Sequence, residues 1–158
     1  MAVHPRIARF LAQHEIPHRV WEHSSSPTPI RSPADFVAFS GIAHERISKT
    51  LFLSTGLPHQ PFVLAVAPIA ARVEMGILTT LAGARKLQLG SRADLAAQLD
   101  FPPQGVSPLA GHLPVYIHEK LLEYSTITIG GGVAGVEIEL AASWLCNVNR
   151  AQRGAFCG

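Results

Sequence analysis

The chain has 158 residues, 47% hydrophobic and 15% charged, which suits one compact domain and excludes a disordered polymer. No apolar run approaches the ~20 residues that span a bilayer, no leader pattern opens the chain, and Cys146 and Cys157 make no disulfide framework. A cytoplasmic protein without membrane contact is predicted, and a net charge of +2 with no dense Lys/Arg run allows an anionic partner held at a small footprint.

Residues 5–15 place Ile7, Phe10, Leu11 and His14 on one helical face, with Pro5 in the first turn and Pro17 barring continuation. Residues 18–23 read as a short strand carrying Val20 and Trp21. Ser32-Pro33-Ala34-Asp35 is a capping box opening a helix through Phe36, Val37 and Phe39, which Gly41 stops. Residues 46–55 form a strand with Ile47, Lys49, Leu51 and Leu53 on one face. A Gly/Pro turn then leads into a second strand, 62–67, apolar on both sides, so the pair predicts a buried hairpin.

Residues 73–81 have helical spacing up to Gly83, 86–89 make a short strand, and Ser91-Arg92-Ala93-Asp94 caps a helix through Leu95 and Leu99. A Pro- and Gly-rich break spans 101–114. Strands follow at 114–117 and 125–129, with one helical turn at 119–123 between them. After Gly130-Gly131-Gly132, residues 136–140 alternate strictly, with Glu137 and Glu139 opposite Val136, Ile138 and Leu140. Residues 142–148 suggest a last helix and 149–158 a loosely held tail, which gives a single domain over 1–148. The mixed order of short strands and helices predicts an α+β (mixed α/β) fold, a curved, barrel-like mixed sheet surrounded by helices.

Four features could carry chemistry. Lys49 shares a face with apolar residues, so its ammonium either meets an anion in the interior or snorkels to water from the strand end. In the break at 101–114, Gly105 is permissive and Pro108 rigid, a combination that can aim successive amides into one concavity. The triple glycine allows close approach of a ligand or another backbone. Glu137 and Glu139 make either a solvated face or a pair able to orient water or a ribose hydroxyl. No HExxH, paired-cysteine spacing, P-loop, dinucleotide fingerprint or G-x-S-x-G elbow is present, so no metal or cofactor is predicted.

Five blocks in register, Ser48-Lys49-Thr50-Leu51, Phe62-Val63-Leu64-Ala65-Val66, Gly83-Ala84-Arg85-Lys86-Leu87, Gly105-Val106-Ser107-Pro108 and Val136-Glu137-Ile138-Glu139-Leu140, resemble the YbaK/ProX family of stand-alone aminoacyl-tRNA deacylases, which are similar to the editing domain of prolyl-tRNA synthetase. The resemblance implies a trans-editing hydrolase acting on the ester of a mischarged tRNA that carries alanine, serine, threonine or cysteine. Its partners would be the tRNA acceptor end and, secondarily, a synthetase. It implies that Lys49 is essential and that the loop from Gly105 to Pro108 lines the aminoacyl pocket. On chemical grounds the amides of Gly105, Val106 and Ser107 would stabilise the developing oxyanion while the substrate's own hydroxyl helps to activate water. Trp21, Thr50, Pro108, Gly130, Gly131, Gly132 and Glu137 would bind substrate. Trp21 stands where relatives often have tyrosine, and Glu137 where they tend to have aspartate. The rival reading is a non-catalytic module that binds an acceptor end or nucleotide and regulates a synthetase.

Overall fold

A computed structural model describes residues 2–109 and 111–158. Helix α1 (Pro5–Gln13) starts where the His4 ring accepts the Arg6 amide at 3.1 Å. Strand β1 (His18–Glu22) follows, then α2 (Pro33–Ser40), where Ser32 Oγ accepts the Asp35 amide at 3.2 Å and Gly41 turns out at φ 73°. The Asp35 carboxylate reaches back to the Arg31 amide at 2.9 Å, one residue before the expected capping-box partner. Next come β2 (Ser48–Ser54), β3 (Phe62–Pro68) and α3 (Met75–Ala82), which ends at Gly83 with φ 63°. The short β4 (Gln88–Leu89) leads to α4 (Arg92–Leu99), capped by Ser91 onto the Asp94 amide at 3.0 Å. The remainder is β5 (Val115–His118), a 3-10 turn (Glu119–Glu123), β6 (Ile127–Gly130), β7 (Val136–Leu140), α5 (Ser143–Val148) and β8 (Gln152–Gly154). Among the described residues no helix is long and apolar enough to cross a membrane.

The strands make a five-stranded sheet, β4-β2-β3-β5-β8, and a three-stranded one, β1-β7-β6. The β2–β3 pair is the expected antiparallel hairpin, with Lys49 opposite Ala67, and β3, β5 and β8 run parallel. The α+β class stands, but the sheet does not close into a barrel. Among the described residues one isolated backbone bridge, Ile47 to Thr128, joins the two sheets, reinforced by Ser48 Oγ donating to the Thr128 carbonyl at 2.5 Å. One bridge pins the sheets together without extending a ladder between them.

Strand β3 is buried on both faces, as its unbroken apolar run implies. Leu64 and Val66 join the core formed with Ile7, Leu11, Ile117, Ile129 and Ile138. Val63, Ala65 and Ala67 pack with Leu53, Leu78 and Phe156 on the opposite side. A third cluster, Trp21, Phe36, Ile42 and Ile47, fills the space beside α2.

The segment 149–158, expected to be loosely held, is tied into the fold. Strand β8 pairs with β5, and Phe156 is fully buried, with its ring 5.4 Å from that of His118. The Phe156 carbonyl accepts the Glu74 amide at 2.7 Å, and Cys157 bridges Val73. That pairing holds 73–74 extended and delays the start of α3 relative to the sequence pattern.

Candidate active site

At the start of β2, Ser48, Lys49 and Thr50 line a cavity of about 220 Å³. Its opposite walls come from Gln104 and Val106 on the central loop, from Gly130 at the end of β6, and from Glu137 on β7. Lys49, the glycine-proline loop, the glycine turn and the acidic strand thus contribute residues to one space.

The loop and the turn touch main chain to main chain. A Cβ on Gly130 would lie 2.2 Å from the Val106 carbonyl oxygen, and one on Gly105 would lie 2.6 Å from that of Val133. Only glycine permits this approach at either position. The Gly132 amide donates to the Gly105 carbonyl at 2.8 Å, which fixes the two segments against each other. Gly105 therefore acts through its missing side chain. Its amide is committed to the Pro102 carbonyl at 3.0 Å and is unavailable to an oxyanion, contrary to the sequence expectation. The amides of Val106 and Ser107 have no acceptor among the described residues.

Ser107 is fully buried, and its hydroxyl accepts the Leu109 amide at 3.2 Å, so it shapes the loop from within. The Pro108 carbonyl accepts the Asn149 amide group, which ties the loop to the C-terminal segment. Gly131 bonds to Val136 and His4 through its amide and carbonyl, each at 2.9 Å, and Gly132 has φ 82° with no room for a side chain beside His4. These four residues build the frame and do not line the cavity.

Lys49 is half-buried, and its ammonium donates to the Ala71 carbonyl at 2.8 Å. No carboxylate lies within ion-pair reach of it among the described residues. An ammonium carries three donors, so two remain beyond the bond to Ala71. The Thr50 hydroxyl is buried without a hydrogen-bond partner among the described residues, a state that costs ~1–3 kcal/mol unless something fills it.

Glu137 and Glu139 point from the same face of β7, but their surroundings differ. Burial would raise the Glu139 carboxyl, yet hydrogen bonds from Trp21 and Thr126 and the Arg46 guanidinium at 2.8 Å hold it below the usual carboxylate range. It is a structural tie. Glu137 has no hydrogen bond or ion pair among the described residues, and burial pushes its carboxyl up to about 7. Trp21 sits opposite Glu137 in register, but its indole donates to Glu139 at 3.1 Å and its ring packs on Phe36 and Phe39. It supports the acidic strand and does not line this cavity.

A second cavity, of about 280 Å³, adjoins the first and shares Glu137 and Ile69 with it. His23, Arg31 and Phe36 are among its other walls. These residues escaped the sequence reading; their one signal was the aromatic and proline content around α2. A larger cavity, about 350 Å³, is lined by His44, His118, Lys120 and Tyr124 with Ala70, Ala71 and Cys157. It contains none of the residues singled out in the sequence, so volume alone does not select the site. Among the described residues no three His, Cys, Asp or Glu side chains gather as a metal site requires.

Comparison with known proteins identifies the family. The profile of the aminoacyl-tRNA editing domain family matches residues 27–144. EbsC of Enterococcus faecalis, whose name proposes Cys-tRNA(Pro)/Cys-tRNA(Cys) deacylation, is 31% identical over 147 residues, covering 91% of this chain and 87% of EbsC. The fold is shared with the crystal structure of a protein proposed as a trans-editing enzyme for prolyl tRNA synthetase (TM-score 0.82, 21% identity, 99% of both chains). It is also shared with hypothetical protein APE2540 (TM-score 0.82, 19% identity, 97% of this chain and 99% of that one). The chain belongs to the aminoacyl-tRNA editing domain family, the deacylases that its sequence blocks resemble.

Proposed function

We propose that this protein hydrolyses, in trans, the ester joining a small amino acid to the terminal ribose of a mischarged tRNA, with cysteine, the substrate in the name of EbsC, as the first candidate. The observation that carries this reading is that Lys49, Thr50, Val106 and Glu137 line one cavity.

The chemistry follows from those groups. Glu137, unpaired and titrating near 7, is matched to general-base work at neutral pH. It takes a proton from water as the water oxygen adds to the ester carbonyl. The oxyanion that develops is met by the Lys49 ammonium and the Val106 amide. When the tetrahedral intermediate collapses, the C–O bond to the ribose breaks. The departing ribose oxygen recovers the proton, relayed by the neighbouring ribose hydroxyl, and free amino acid and tRNA leave. An aminoacyl ester is already activated by its α-ammonium, so positioning and charge stabilisation suffice without a nucleophilic side chain. Thr50 completes its hydrogen bonding on the bound ester. A second, hydrolytic selection step has a physical purpose, since binding alone separates small apolar amino acids by only about 10–200-fold.

The test is a panel of tRNAs mischarged with cysteine, alanine, serine and threonine, with the matched methyl esters alongside. Hydrolysis of at least one mischarged tRNA, lost in Glu137→Gln, is expected. Tight tRNA binding without turnover on any member would replace this reading with that of a binding module.

A further inference from the structure

The second cavity has a different character from the first. Ile30, Pro33, Phe36 and Ile47 make its walls largely apolar, while His23, Arg31 and Ser32 add polar edges beside Glu137. The Phe36 ring is braced by Trp21, Phe39 and His23, at centroid separations of 6.4, 6.4 and 5.6 Å. The backbone of His23 is anchored by its amide to the Gly135 carbonyl at 2.8 Å, yet its Nε2 is buried with no hydrogen-bond partner among the described residues. Burial lowers its pKa, so at neutral pH the imidazole is uncharged and suited to a neutral polar edge.

Size and position narrow the occupant. At roughly 30 Å³ per liquid water, a volume of about 280 Å³ equals about nine waters. The side chain of alanine or cysteine fills a small part of that and would leave most wall atoms without contacts. A two-ring base, apolar on its faces and polar on its rim, fits both the volume and the lining. Glu137 and Ile69 are common to both cavities, so a single ribose passing them would link a group in one cavity to a group in the other.

We propose that the second cavity seats the adenine base of the terminal tRNA nucleotide, with Phe36 as its aromatic contact and the ester lying in the first cavity. This assignment rests on the deacylase reading above. It makes His23, Ile30 and Phe36 determinants of base recognition and separates base selection from amino-acid selection.

The test compares cysteine esters of adenosine, uridine and methanol. Base–aromatic contact of this kind corresponds to about a 5- to 150-fold preference in kcat/KM for the adenosine ester over the uridine ester. Phe36→Leu, which removes the aromatic face, and Ile30→Trp, which fills the cavity from its loop, should each bring that ratio near unity, with folding checked by circular dichroism. As a readout independent of turnover, adenosine should alter Trp21 fluorescence in a Trp144→Phe background. Equal hydrolysis of the two nucleoside esters, or a preference that survives both substitutions, overturns the assignment and leaves the deacylase reading standing. Failure of the wild type on every ester overturns both.

Discussion

Replacing Glu137 by glutamine tests the proposed base through stability as well as rate. The folded carboxyl titrates at about 7 against a reference of 4.5, a difference that converts, at 1.36 kcal/mol per pH unit, to about 3 kcal/mol. Between those two pH values the folded state holds more protons than the unfolded state, so wild-type stability falls as pH rises. The penalty is absent below the lower value and complete above the upper. Glutamine does not ionise and removes it. Glu137→Gln should therefore match the wild type at pH 4 and exceed it at pH 8.5 by up to about 3 kcal/mol, or ~5–12 °C in Tm for a chain of this size. Urea unfolding at the two pH values measures this directly. Deacylation should fall by roughly 10²–10⁴ in the same variant, and wild-type kcat/KM should rise with pH through about 7. A stability difference independent of pH, or a variant weaker than wild type at pH 8.5, would refute the argument that this carboxylate is buried without a partner.

Other substitutions probe the rest of the site and fold. Lys49→Ala removes one proposed oxyanion donor and should lower turnover by about 10²–10³ with the circular dichroism spectrum unchanged; near-wild-type turnover rejects its role. Gly130→Ala forces a methyl against the Val106 carbonyl, so activity should be lost together with ~1–3 kcal/mol of stability, whereas unaltered kinetics would mean the loop and turn are not held in contact. Phe156→Ala should cost about 3–5 kcal/mol in chemical denaturation, and a loss below ~1 kcal/mol would show that the C-terminal segment is not part of the core.

Much of the architecture was readable where a residue's local role and its place in the fold coincide. The capped starts of α2 and α4 follow from Ser32 and Ser91, and the alternation at Val136, Ile138 and Leu140 correctly turns Glu137 and Glu139 to one side. Lys49 likewise lies on the face its parity assigns. What stayed hidden depends on partners far away in sequence. Glu137 and Glu139 are indistinguishable until Arg46 and Thr126 arrive beside only one of them. The second cavity joins residues 23, 36, 69 and 137, which no periodicity connects. Phe156 is one apolar side chain in a short segment without repeat, so nothing local announces its burial. The Gly105 amide was assigned to substrate because loop composition shows that an amide can turn inward; it does not show that Pro102 has already taken it.

The glycine contacts at residues 105 and 130 also bear on how such a protein changes over time. Since the loop and the turn are held together by peptide groups resting on one another, their approach does not depend on which side chains sit at 104 and 106. Those two positions can be exchanged to admit a larger or smaller amino acid while the hydrolytic apparatus keeps its geometry. Relatives with altered substrate choice should then differ at the rim and retain both glycines.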